Sequence, residues 1–214
     1  MPGRDVPERA ADGLARFAAR FPRAYHVTDP ANLPGIARDG LLSAEALAAL
    51  YAVPDAEHLL AGNRGRGHFL ALARTGLPGA TLRDQWMPDE PLAACLRGDY
   101  AGRPDAWRRL INAHAFLWLS EPQARRLAAV NRARGQVVLA FDTAPLLAAC
   151  GERAVTAPIN TGIATGMYGR PGSPRDETTF RPVAEYPRAD RRTPKELAIR
   201  GGTGAGLPYA VLDR

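Results

Sequence analysis

The apolar residues change their period part-way along the chain. Up to about residue 113 they recur mainly every three or four positions, the spacing of helices with one buried face. Beyond it, short apolar runs such as QVVLAF (Gln136–Phe141) take over, as in buried strands. Segregated helices and strands argue for an α+β fold and against alternating βαβ units. The pattern predicts helices over Pro7–Arg20, Asn32–Gly40, Ser43–Ala52, Asp55–Leu60, Pro91–Arg97, Asp105–Ala113, Glu121–Arg134 and Thr143–Cys150. It predicts strands over Tyr25–Thr28, Ala115–Leu119, Gln136–Phe141, Ala154–Ile159, Thr178–Tyr186, Glu196–Arg200 and Tyr209–Leu212. Asn32 is the expected N-cap of its helix, with Pro34 in the first turn and Gly40 closing it.

No repeat and no linker divides the chain, so residues 1–214 read as a single domain with an N-terminal helical extension over 1–24. Two loops rich in Gly, Pro and Arg, Asn160–Glu177 and Pro187–Lys195, interrupt the second half. The first is long for a structureless connection, and such loops in compact domains are often functional.

No apolar run reaches bilayer length and no secretory leader is visible, which points to a cytoplasmic protein away from membranes. Cys95 and Cys150 sit far apart in Ala/Leu-rich helical patterns and read as buried free thiols. None of the four histidines falls in a metal-binding spacing, so no metal site is expected. A GxSxG elbow is missing, and neither cysteine has a basic neighbour to activate it. The Gly62–Gly67 run, GNRGRG, lacks the Lys-Ser/Thr of a P-loop and reads as a turn. The net charge is +6, carried almost entirely by arginine. Arginine binds phosphate bidentately and stacks on bases, so a nucleic-acid partner fits; an arginine-rich genomic composition produces the same numbers.

The segment AYHVTDPANLPGIARDGLL (Ala24–Leu42) is the most specific local pattern. His26 and Thr28, two apart on a strand, share a face. Asn32 follows at the head of the next helix. By itself His26 reads equally as a core histidine and Asn32 as a cap.

The run Tyr25-His26-Val27-Thr28, then Asn32-Leu33-Pro34 with Ile36, then Gly40-Leu41, resembles the opening of DarT-type DNA ADP-ribosyltransferase toxins and related bacterial families. A weaker His-x-Thr version occurs in RNA 2′-phosphotransferases of the same fold. RLINAHAFLWLS (Arg109–Ser120) is similar to the family's aromatic strand, and PKELAIR (Pro194–Arg200) to the late strand that opens with a catalytic Glu. The aromatic strand departs from the family's Phe-Tyr-Phe-like run.

The resemblance implies a split pair of β-sheets with flanking helices and an NAD cleft between them, NAD being a co-substrate. It implies catalytic roles for Glu196, His26 and Arg83. It implies cofactor contacts from Tyr25, His26, Thr28, Asn32, Arg83, Asn160 and either Phe116 or Trp118. Arg64 and Arg66 are alternatives to Arg83, which also reads as a surface partner of Asp84. Arg191 and Arg192 fall in the loop that would bind the acceptor, expected to be nucleic acid. Glu196 also reads as an exposed strand-start residue beside Lys195. A toxin of this kind implies an antitoxin or a glycohydrolase that removes the mark. The rival readings are an NAD glycohydrolase, a 2′-phosphotransferase-like enzyme, and a non-catalytic binding module.

Overall fold

The computed structural model describes residues 6–130, 132–166 and 172–212. Asn131 in the expected helix Glu121–Arg134, residues 167–171 in the expected long loop, and residues 1–5 and 213–214 lie outside them.

Eight α-helices and nine strands make an α+β fold among these residues. The helices are α1 (Val6–Arg20), α2 (Leu33–Asp39), α3 (Ala44–Leu50), α4 (Ala56–Ala61), α5 (Asp89–Cys95), α6 (Pro104–Asn112), α7 (Glu121–Val130) and α8 (Thr143–Cys150). The strands are β1 (Arg23–Thr28), β2 (Leu70–Leu72), β3 (Ala80–Leu82), β4 (His114–Trp118), β5 (Val137–Asp142), β6 (Ala154–Ala157), β7 (Arg181–Pro182), β8 (Glu196–Arg200) and β9 (Ala210–Leu212). Seven of them form an antiparallel sheet in the order β7-β6-β8-β4-β1-β5-β9, and β2 pairs with β3 separately. No described helix is long and apolar enough to cross a membrane.

The main sheet nearly divides at its centre. The β1–β5 ladder registers six residue pairs and the β4–β8 ladder five, whereas β1 and β4 register only through Tyr25↔Trp118. A split is therefore present, but the halves remain joined as one sheet, and the second sheet is the small β2–β3 pair. One apolar core runs beneath both halves. It takes Ala24 of β1, Leu117 of β4, Leu139 and Phe141 of β5, Leu197 and Ile199 of β8, Phe17 of α1 and Phe21 just after it. Helix α1 lies so close to the turn after β7 that a Cβ on Gly13 would stand 1.9 Å from the Ala184 carbonyl oxygen. That approach lets Phe17 meet the Tyr186 ring edge-on at 5.3 Å.

Three expectations need correction. The strand expected over Thr178–Tyr186 shrinks to Arg181–Pro182, because a 3-10 turn at Val183–Glu185 takes over beneath α1. The helix expected to reach Arg134 ends at Val130, with a 3-10 turn at Arg132–Arg134 beyond. Asn32 makes no side-chain cap; Asp29 caps instead, its Oδ1 accepting from the Ala31 amide, and a 3-10 turn at Pro30–Asn32 leads into α2.

A candidate active site at the split of the main sheet

A cavity of about 860 Å³ opens where β1 and β4 part company, within the size range of small-molecule sites. His26, Thr28 and Asn32 line it from β1 and the turn after it; Phe116 and Trp118 line it from β4. Asn160, Thr161 and Glu196 line it from the other half of the sheet, and Arg64, Arg66 and Arg83 from the segment around β3. The residues named from the two ends of the sequence thus share one space.

His26 stands in for the missing ladder. Its Nδ1 lies 2.8 Å from the Phe116 carbonyl oxygen, bridging from β1 to β4 beyond the last registered pair. A carbonyl oxygen only accepts, so Nδ1 carries the hydrogen and Nε2 keeps a lone pair. Burial pushes the imidazole pKa down to about 4, so it is neutral near pH 7. Nε2 makes no hydrogen bond to the described residues, which leaves an acceptor suited to a hydroxyl in the cavity.

Glu196 is the first residue of β8, flanked by Trp118 on β4 and Ala157 on β6. It is only 5% exposed. The alternative of an exposed strand-start residue is therefore excluded. Oε2 accepts from the Thr161 amide at 3.0 Å and from the Thr161 hydroxyl at 2.8 Å. No described residue donates to Oε1. Burial raises the carboxyl pKa to about 7, against the opposing pull of the Thr161 hydrogen bonds, Arg175 and Lys195. A carboxyl group poised near neutrality in a cavity suits chemistry that needs both its ionised and its protonated form.

Other expected residues are placed differently. Tyr25 projects to the opposite face of β1 from His26, packing with Trp118 and Ala124 under α7, and does not line the cavity. Thr28 lines it, but its hydroxyl already accepts from Asn32 Nδ2 at 3.0 Å. The Asn32 amide is fully engaged. Oδ1 accepts from the Thr81 amide at 2.7 Å and Nδ2 donates to the Thr81 carbonyl at 3.0 Å, as a strand partner would. Asn32 thus ties the β2–β3 pair to the β1 corner. Replacing it with Ala would leave both buried Thr81 backbone groups without partners, at about 1–3 kcal/mol for each. We expect Asn32→Ala to lose on the order of 2–4 kcal/mol in urea unfolding.

Arg83 lines the cavity from the end of β3, steadied by Gln136 Oε1 at 3.2 Å and by Asp84 at 3.4 Å. Arg64 is committed to the wall; it donates to Asn112 Oδ1 at 3.1 Å and to the Arg83 carbonyl at 3.2 Å. Asn160 lines the cavity and accepts from the Gly162 amide in a tight turn. Phe116 packs with Phe180 and Trp107 on one side and faces the cavity on the other. Arg191 and Arg192 line a separate pocket of about 280 Å³ with Tyr186 and Arg188.

Sequence reasoning missed Thr161, Arg175 and the stacking of Arg66 on Trp86, although it had named Arg66 as an alternative to Arg83. Thr161 holds the carboxylate. Arg175 holds Thr161, donating to its carbonyl at 2.8 Å and to that of Ile163 at 2.6 Å. At the mouth, the Arg66 guanidinium lies 4.3 Å over the Trp86 ring, and Phe69 lies under Arg134 at 4.3 Å. The glycine-arginine run at Gly62–Gly67, read as a turn, was the one sequence sign of that ledge. Both cysteines are buried, and no group of three metal-ligating side chains occurs among the described residues.

Fold and site together define an α+β fold with a mainly apolar cavity, set with a few polar side chains, at a split in its main sheet. Residues 22–204 match a family of unknown function (DUF7002), and the chain belongs to that family. No curated protein and no solved structure matches it.

Proposed function

We propose that this protein transfers ADP-ribose from NAD to an acceptor, with nucleic acid as the acceptor class. The observation that carries the reading is the meeting of His26 and Glu196 in one cavity across the sheet split. His26 Nε2 accepts a ribose hydroxyl. The Glu196 carboxylate faces the sugar that loses nicotinamide. As the ribose–nicotinamide C–N bond breaks, its electron pair leaves with nicotinamide and positive charge grows on the ribose. A carboxylate fixed beforehand in a water-poor site stabilises that charge. The acceptor then bonds to the anomeric carbon, and its proton passes to Glu196, whose pKa near 7 lets it take the proton and release it again. Arg83, at the rim, is placed to meet the diphosphate.

The acceptor reading rests on the mouth rather than on Arg191 and Arg192. Trp86 is 39% exposed beside Arg66, and both line the cavity. An exposed indole with a stacked guanidinium fits an unpaired base and its phosphate. An antitoxin or a mark-removing glycohydrolase belongs to this reading as a partner.

The test is incubation of the protein with labelled NAD, alone and with single-stranded DNA, RNA or protein. Label on nucleic acid is the expected result. Free ADP-ribose alone would mean hydrolysis, and intact NAD with intact binding would mean a non-catalytic module. Trp86→Ala should lower transfer to nucleic acid about 5- to 30-fold, the effect of losing one stacked base, while NAD binding stays within twofold.

A further inference from the structure

We propose that Arg175 is a positioning residue: through the carbonyls of Thr161 and Ile163 it fixes the turn whose amide and hydroxyl hold Glu196 Oε2. This inference rests on the catalytic role given above to Glu196.

Arg175 is a strut anchored at both ends. Its backbone forms a bridge to the end of α5, the amide donating to the Cys95 carbonyl at 3.0 Å and the carbonyl accepting from the Arg97 amide at 2.9 Å. Its side chain is 1% exposed. Nη1 reaches the Thr161 carbonyl, Nη2 the Ile163 carbonyl, and Nε the Ser173 carbonyl at 3.2 Å. Trp107 presents its ring to the guanidinium carbon at 5.9 Å. The turn is closed further where the Gly172 amide and the Cys95 thiol both donate to the Ala164 carbonyl. Thr161 is therefore held on both sides. Arg175 binds its carbonyl, and its own amide and hydroxyl donate to Glu196.

The cost of this arrangement favours a role for the charge. Burying a guanidinium is expensive, and burial lowers the Arg175 pKa below the usual arginine range. None of the described carboxylates forms an ion pair with it. A neutral donor would clamp three carbonyls without that cost. The buried carboxylate nearest in electrostatic terms is Glu196, which Arg175 and Lys195 pull toward ionisation. Trp118 and Ala157, the strand neighbours of Glu196, carry no charge. Arg175 thus supplies the positive counterpart to Glu196 at a distance of one residue, without neutralising it by direct contact.

The experiment compares wild type with Arg175→Met, Arg175→Lys and Thr161→Val. Two quantities are read: the titration midpoint of the Glu196 carboxyl carbon by NMR without NAD, and kcat and KM for NAD turnover across pH. In Arg175→Met the midpoint should rise by one pH unit or more, the alkaline plateau of kcat should move with it, and kcat at pH 7 should fall at least tenfold with KM within threefold. Arg175→Lys keeps the charge and should restore part of the midpoint. Thr161→Val removes only the hydroxyl bond and should shift the midpoint in the same direction by less; Arg175→Lys, with a partial shift, serves as the reporter where Arg175→Met does not fold. A Glu196 midpoint unmoved in a folded Arg175→Met, or in Arg175→Lys when Arg175→Met fails to fold, overturns the inference. A shifted midpoint in a wild-type background that never consumes NAD overturns the transferase reading and leaves the strut standing.

Discussion

Glu196→Gln is expected to abolish NAD turnover and, above pH 7, to make the protein more stable. Both effects come from one burial. In the unfolded chain this carboxyl ionises near 4.5, and in the folded protein it holds its proton to about 7. A group whose acid form is favoured by the fold contributes fully below pH 4.5. That contribution is lost as pH rises through 7, because the unfolded state ionises first. A shift of this size corresponds to on the order of 3 kcal/mol above pH 7. Glutamine removes the buried charge and keeps an oxygen to accept from Thr161. Melting should rise by roughly 5–10 °C at pH 8 and change little at pH 4.5. Turnover should fall by at least 10³-fold, since in the proposed reaction the group that meets the developing ribose charge is gone. A variant that turns NAD over at a tenth of the wild-type rate or better would remove Glu196 from the mechanism. Equal melting temperatures at pH 8 would contradict the raised pKa. In wild type, the same ionisation predicts that NAD turnover climbs as pH rises through about 7 and then levels off.

The second large effect is expected at His26. Replacing it with Ala removes the only described donor to the Phe116 carbonyl at the split and leaves space where the ring was. An unsatisfied, partly buried carbonyl together with the lost packing should cost roughly 2–4 kcal/mol at pH 7. The pH dependence distinguishes this from a general packing loss. The imidazole pKa lies near 4 in the folded protein and near 6.5 in the unfolded chain. Its contribution is therefore full above pH 6.5 and fades as pH falls toward 4, because the unfolded chain takes up the proton first. Urea melts of wild type and His26→Ala at pH 7.5 and pH 4.5 should differ less at the lower pH. A difference independent of pH would show that the ring is not held neutral. NAD affinity should drop about tenfold or more, the loss of a hydrogen bond to a ribose hydroxyl together with a loosened cleft.

Much of the fold followed from local pattern. The runs RAYHVT, HAFLW, VVLAFD and ELAIR became the four central strands of the large sheet within a residue or two of expectation, because each is apolar, short and bounded by turn residues. The three-residue strands β2 and β3 were invisible. LAL and ATL carry no period of their own and lie among Gly, Pro and Thr; Asn32, far away in sequence, holds them in place. Asn32 itself was misread for the same reason. As a residue at a helix start it signals a cap, but the Thr81 backbone competes for its amide and wins. Tyr25 belonged to the motif, yet strand alternation sends it to the face opposite His26, where α7 covers it.

The amino-acid sequence by itself determined most of the longer helices and strands, since hydrophobic periodicity is a local property, and its resemblance to a known family singled out His26 and Glu196. Only the tertiary structure decided that β1 and β4 separate after Tyr25↔Trp118 and that His26 bridges the gap. The same packing buries Glu196 against Thr161, and it sets Arg175, one of two arginines in a Gly- and Pro-rich loop, against the carbonyls of that turn. The physical reason is that burial and hydrogen-bond geometry, which set a side chain's charge state and its free lone pairs, arise from contacts between residues far apart in the chain.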